Sequence, residues 1–418
     1  MTILLIVLLC VIGIFTYVIN EKDVSYPAFI SCVVFIVSTV FFALNESKWE
    51  ISLHGYTVFI IISALLAFCI GGSLHLKIGK TSTTYQDIIY AFPRKVTALL
   101  FAYNCIAMLF VIRKFQNIAA KYSSSVFTMM NVRNALSSGN ISWGVGISIL
   151  RESCYAISYM FAFVFINNKL HKAKGNVWLI FPILPSVIIM ILSTGRTDFI
   201  RFFAFCFTLF LVLHSGHQKI RLGRFIAIGL TAFALLIFAF YQIGKLTGKS
   251  QVFNPFDTIS IYIGSSIGGL DKYLVEPYSF SSVWGGETLY GLRRFARLFI
   301  SDFVIPPIPL PFCKMGMGEN TNVYTAFRRY INDYGVIGLY IIQLFKGMMF
   351  CNWYRSLRKK GTRNTFSLLL YSYFVYDIYL QSIEENLLRE LFTVASLFDV
   401  CFFLLLSRII LKRTAVKV

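Results

Sequence analysis

Long apolar runs separated by short, mostly basic connections follow one another along this chain, and that pattern leaves few choices of fold. A helix rises about 1.5 Å per residue, so about 20 apolar residues cross a hydrocarbon layer roughly 30 Å thick. About eleven segments meet that condition: 2–19, 26–44, 56–73, 96–113, 145–167, 177–193, 198–214, 223–241, 334–351, 364–381 and 393–411. In lipid the backbone polar groups must be satisfied internally, which a helix does within its own segment. The pattern therefore predicts an all-α, polytopic transmembrane helix bundle with one large folded loop. Residues 1–241 carry the first eight spans, 242–332 the loop, and 333–418 the last three spans and a tail. Pro182 and Pro185 should kink the run 177–193, and Arg151 and Glu152 fall near the start of 145–167. The opening run Thr2–Ile19 lacks a basic leader and a small-residue cleavage site, so it reads as a retained span.

Composition agrees with lipid as the solvent. Only 14% of residues are charged, against roughly 25% in soluble domains. A net charge of +20 in a soluble protein would point to nucleic acid. Here the basic residues sit in connections between apolar runs, so they report sidedness or an anionic substrate, and no nucleic acid is expected. The nine cysteines lie mostly inside apolar runs, with neither a CxxC pair nor a metal-like Cys/His spacing.

Cytoplasmic connections are enriched in Lys and Arg. Acid-free basic stretches follow the fifth, seventh, ninth and eleventh spans: His171–Lys174, Lys219–Arg224, Arg355–Arg363 and the tail from Lys412. All fall on one side when the N-terminus is outside and the C-terminus is cytoplasmic. The connection 114–144 is the exception, being outside yet carrying Lys114, Lys121 and Arg133. The large loop 242–332 is rich in Tyr, Phe, Gly and Ile and is expected to fold on the outer side.

The outer face then holds arginines that sidedness does not explain. Arg196 lies in the turn Ser193–Thr197, and Arg201 one helical turn further on. Arg293, Arg294 and Arg297 share one edge if their segment is helical, with Phe295, Leu298 and Phe299 turned to apolar surroundings, as in a helix lying at a membrane surface. Arg328 and Arg329 precede the ninth span. The planar guanidinium fork suits a diphosphate. The alternative is ordinary contact with lipid headgroups or local pairing, Arg297 with Asp302 and Arg329 with Asp333. Among the loop carboxylates Asp257, Asp271, Glu276, Glu287, Asp302, Glu319 and Asp333, the candidate general bases are Glu319 and Asp333, although Asp333 also suits a helix N-cap. The proline run Val304–Phe312 must be extended. There is no GxSxG, P-loop or HExxH pattern, and neither a metal nor a cofactor is expected. His54 is the one histidine in an expected outer connection.

Four stretches carry a family likeness: Ser193–Thr197, Tyr262–Asp271, Gly285–Leu289 and Asn322–Gly338. Over roughly residues 190–340 the chain resembles the Wzy-type oligosaccharide repeat-unit polymerases of O-antigen and capsule assembly. The resemblance implies a class C glycosyltransferase-like membrane enzyme of the bacterial cytoplasmic membrane. It implies inverting transfer of a growing glycan from undecaprenyl diphosphate to the terminal sugar of another lipid-linked unit. The implied partners are the undecaprenyl-diphosphate-linked oligosaccharide, membrane lipid and a chain-length regulator. In this picture Arg196, Arg293, Arg294, Arg297, Arg328 and Arg329 hold the departing diphosphate. A lipid-linked oligosaccharide flippase and an O-antigen ligase are the competing readings. A flippase should carry charge deep in its spans and have short loops, whereas here most charge lies at span ends.

Overall fold

A computed structural model describes all residues except 75–87, 123–131, 133–134, 137–140, 174–175, 194–196, 218–219, 247–254, 278–282, 301–303, 306–309, 317–318, 361–363 and 418. The protein is all-α in character. Among the described residues, eight helices are long and apolar enough to cross a membrane: Thr2–Ile19, Gly55–Ser73, Arg94–Lys121, Val145–Leu170, Thr197–Ser215, Leu222–Ala239, Ala326–Lys359 and Val394–Thr414. The other three expected segments are also helical but short or interrupted. Pro27–Ala43 has 17 residues and opens on a proline, where the missing N–H is harmless. The prolines of 177–193 divide it into a 3-10 turn, Val177–Ile180, and a helix, Ile183–Leu192. Residues 364–381 form Thr365–Phe374 and Tyr376–Leu380, broken at Val375. Among the described residues, strands are confined to two small antiparallel ladders, Ile88–Tyr90 with Ala415–Lys417 and Cys313–Lys314 with Asn320–Thr321.

Contacts sort the helix ends onto two faces. At one face Asp23 accepts from Tyr354 and Arg358 at 2.8 and 2.7 Å, and Asn168 bonds the backbone of Tyr90. The ladder of 88–90 with the C-terminal tail lies there too. This is the face of the basic stretches. At the other face Lys48 meets Glu319, and His54 meets Asp271. Asp271 also accepts the His54 backbone N–H at 2.9 Å and the Thr57 hydroxyl, which fixes the start of Gly55–Ser73. This is the face of the large loop.

Two apolar cores lie side by side. One gathers Phe35, Phe42, Ile60, Leu65, Phe327 and Leu339; the other gathers Phe161, Phe205, Leu369, Tyr371 and Phe403. The remaining apolar surface faces outward: Ile3, Val7, Val11, Ile14 and Val18 recur at helical spacing on the first helix, and Leu230, Leu235 and Phe238 on Leu222–Leu246, all exposed. Apolar surface of this extent suits contact with lipid.

The helix Ala326–Lys360 is two helices. At Gly335 the backbone takes φ 71° and ψ −177°, a conformation open essentially to glycine alone. A straight helix would separate Tyr330 and Lys346 by about 24 Å, yet their side chains meet at 3.1 Å. Residues 326–334 therefore fold back as a half-helix. Its start lies inside the bundle. The Ala326 N–H donates to the Gln381 carbonyl at 2.9 Å, Gln381 bonds Ser31, and Phe327 stacks on Phe35 with ring centroids 5.0 Å apart. Ser31 and Phe35 belong to the middle of Pro27–Ala43. The chain thus descends from the loop face, turns into the half-helix, rises to Gly335 and only then runs through to the basic face. Opposite it, the non-helical residues 381–386 follow the broken helix ending at Leu380. Irregular backbone at such depth is tolerated where protein buries it.

A buried arginine–carboxylate network

The half-helix carries Arg328 and Arg329 into the seam between the two cores, both fully buried. The Arg328 guanidinium pairs with Glu287 and lies over the rings of Tyr273 and Tyr324, at 4.8 and 5.4 Å from their centroids. Arg329 donates to Glu384 at 2.7 Å and stands 4.0 Å from Glu287. Glu384 is shared with Arg389 at 3.4 Å, and Arg389 is 3.7 Å from Glu390. Glu390 pairs with Arg201, whose guanidinium also donates to the Tyr373 hydroxyl at 3.2 Å and covers the Tyr376 ring at 5.0 Å. Charges of alternating sign thus link the turn 285–288, the half-helix, the connection 384–390 and the helix Thr197–His217.

Burial and pairing pull the two central carboxylates apart. Burial pushes the Glu287 carboxyl above its usual range, against the pull of Arg328. Burial acts on Glu384 in the same direction, but the guanidiniums of Arg329 and Arg389 hold it below the usual range. Glu287 Oε1 accepts no hydrogen bond among the described residues.

Of the two sequence-derived bases, Asp333 is at the network and Glu319 is apart from it. Asp333 Oδ2 accepts from the backbone N–H groups of Glu287 and Thr288 at 3.0 and 2.7 Å and from the Thr288 hydroxyl at 2.7 Å. Its own helix begins at Ala326, so Asp333 does not cap that helix; it fixes the turn that carries Glu287. Glu319 accepts from Trp49 Nε1 at 2.7 Å and pairs with Lys48 at 2.8 Å, and Lys48 also meets Asp257. It ties the large loop to the connection after Pro27–Ala43.

The arginines separate likewise. Arg329 pairs with Glu384 and not with Asp333. Arg293 clamps the turn through the carbonyls of Trp284 and Val304. Its helix, Tyr290–Ala296, continues to Arg297, whose N–H bonds the Arg293 carbonyl at 3.0 Å. Arg294 and Arg297 are exposed, beside exposed Leu298, Phe299 and Ile300. Gly291 brings this helix onto the connection: a Cβ there would stand 2.7 Å from the Arg389 carbonyl. Arg196, Asp302 and residues 306–309 of the proline run lie outside the described residues; Arg196 directly precedes the helix bearing Arg201.

Sequence reasoning missed Glu384, Arg389 and Glu390. The signal was present as a charge-dense stretch, Gln381–Glu390, between two apolar segments. It also passed over Lys346 and Asp377, ionisable residues inside expected spans, where charge is costly without a role. Every cation of the network already has a carboxylate partner, so an incoming anion must exchange with one. An anion displacing Glu384 or Glu390 would find two guanidiniums converging in a site shielded from water.

The chain is 23% identical to an O-antigen polymerase from Shigella dysenteriae over a 327-residue alignment that covers 75% of each protein. No protein-family model matches the chain, and no solved structure does. The matched relative is distant and indicates relation at the family level.

Proposed function

We propose that the protein is a membrane glycosyltransferase that joins lipid-diphosphate-linked oligosaccharide repeat units into a polysaccharide. The observation that carries this reading is the pair Arg328 and Arg329, buried on a half-helix in a bundle of long apolar helices, within an alternating network of carboxylates. The name of its relative, an O-antigen polymerase, supports the same chemistry. In this proposal all eleven apolar segments cross the membrane, the short and broken ones included. The basic face is cytoplasmic, and the segment 242–332 covers the outer side.

The donor is a glycan on undecaprenyl diphosphate, and the acceptor is the terminal sugar hydroxyl of another such unit. The acceptor oxygen attacks the anomeric carbon. The bond from that carbon to the diphosphate oxygen breaks with inversion, and its electron pair leaves on the diphosphate. Arg328, Arg329, Arg389 and Arg201 meet the growing negative charge after exchanging carboxylates for phosphate oxygens. Arg196, Arg293, Arg294 and Arg297 attract the headgroup from the outer surface. Glu287, raised by burial and with one oxygen unpartnered among the described residues, takes the hydroxyl proton. Asp333 holds its backbone in place, and Glu319 secures the cover.

Deletion of the gene tests the reading. Surface polysaccharide should collapse to single repeat units, and the wild-type gene should restore the ladder. Units trapped inside the cell would instead identify a flippase. Long chains left on the lipid carrier would identify a ligase. Either result overturns the proposal.

A further inference from the structure

Lys346 lies well inside a membrane-crossing helix, is almost fully buried, and touches neither of the arginines on the half-helix. Its ammonium is 2.5 Å from Asp377 and 3.1 Å from the Tyr330 hydroxyl, so it joins three pieces of broken helix. Asp377 Oδ1 accepts the backbone N–H groups of Asn386 and Leu387 at 3.2 and 3.0 Å. Glu385, also buried, accepts from the backbone of Leu388 at 2.7 Å, the backbone of Arg389 at 3.0 Å and the Tyr330 hydroxyl at 3.3 Å. These bonds define the path of residues 384–390. That stretch carries Glu384, Arg389 and Glu390 to Arg329 and Arg201.

We propose that Lys346 is a positioning residue for the transfer reaction: through Asp377, Tyr330 and Glu385 it holds the connection 384–390 against the half-helix, and so sets the spacing of Arg329, Arg389 and Arg201. The proposal rests on the functional reading above. Removing one charge of a buried pair leaves the other uncompensated, so the two members should act as a unit.

Among the described residues, the groups facing Glu385 include Asp377 from the broken helix, Lys346 from the crossing helix, Tyr330 and Tyr334 from the half-helix, and Glu384 and Arg389 from its own segment. Burial, followed by the Asp377 charge, pushes the Glu385 carboxyl up to about 7, and Lys346 opposes that rise. Ionised Glu385 accepts all three of its donors, so elongation should rise with pH through this range. Loss of the Lys346 charge should move that limb to higher pH.

The test uses the full chain purified in detergent, with lipid-diphosphate-linked repeat units as substrate. Wild type, Lys346→Met, Asp377→Asn and the double variant are compared for elongation rate against pH. Lys346→Met should lose about 100-fold in rate at neutral pH, the scale of a small misplacement in a catalytic site, with its acid limb shifted upward. The double variant should recover much of the rate and bring the limb back. Should Lys346→Met fail to insert, the double variant should insert and elongate with a limb near wild type. A Lys346→Met limb superimposed on wild type, or a double variant no better than the single ones, overturns the proposal. A wild-type protein that forms no polymer contradicts the functional reading instead, and the two failures are distinguishable.

Discussion

Arg329 is held by geometry as much as by charge. Its Nε–H points at Glu384, while Nη1 approaches Glu287, and the side chain is almost wholly removed from water. Lysine keeps the charge but has no planar fork and cannot serve both carboxylates in this way. Arg329→Lys should therefore insert normally, lower the melting temperature by an amount corresponding to roughly 1–3 kcal/mol, and lose about 10²–10³ in elongation rate. Wild-type elongation in that variant would separate the network from the chemistry. Glu385 supplies a pH signature. Its folded carboxyl is raised to about 7, above roughly 4.3 for the unfolded chain. The folded state then binds the extra proton between those values. The stability this proton confers is fully present below the unfolded value and is lost as pH rises through about 7. Its size is of order 3 kcal/mol. Melting measured from pH 5 to 8 should decline on this account in the wild type and flatten in Glu385→Gln. An unchanged slope would assign the dependence to other groups. At this scale the sequence revealed the residue types but not their partners. The arginines were readable as unusual cations, yet their pairing with Glu384 and Glu287 depends on a chain reversal that no local spacing announces.

Gly335 is where that reversal is made. The sequence places a span at 334–351, and the apolar period is indeed continuous there, but residues 326–332 read as the end of the loop. They form a helix because the descent from the loop face buries Phe327 and Tyr330 against the core around Phe35. Helix propensity could not distinguish a half-helix folded back on its neighbour from a plain extension of it; only the positive φ at Gly335 does. An alanine at 335 would have to adopt the same backbone, at a cost of about 1–3 kcal/mol. Gly335→Ala should lower the melting temperature and uncouple Tyr330 from Lys346, abolishing elongation while leaving the crossing helix 336–360 inserted. A variant as active and as stable as wild type would mean that the reversal is not needed. The other broken helix was equally hidden. Residues 364–381 satisfy a length rule and end where the helix ends, at Leu380, but nothing in their apolarity marks the break at Val375.

Across the whole molecule, hydropathy and basic loops pointed to a bundle of long apolar helices, and such helices are present, because membrane thickness imposes their length on any such chain. They could not foretell that three of the expected segments would be short or interrupted, since that follows from tertiary burial of polar backbone. The irregular pieces meet in one place. The half-helix, the broken helix, the turn at 285–288 and the connection 384–390 all converge on the buried arginines, between two apolar cores. In the proposed function this convergence performs sugar transfer on a lipid diphosphate. The most direct measurement supplies the purified protein in proteoliposomes with a single defined lipid-diphosphate-linked repeat unit and analyses the products by mass. The wild-type protein should give a ladder of chains on lipid diphosphate with one free lipid diphosphate released per bond formed, and Arg328→Met should give no ladder. Repeat units recovered unchanged with the wild-type protein, whether or not they had crossed the bilayer, would contradict it.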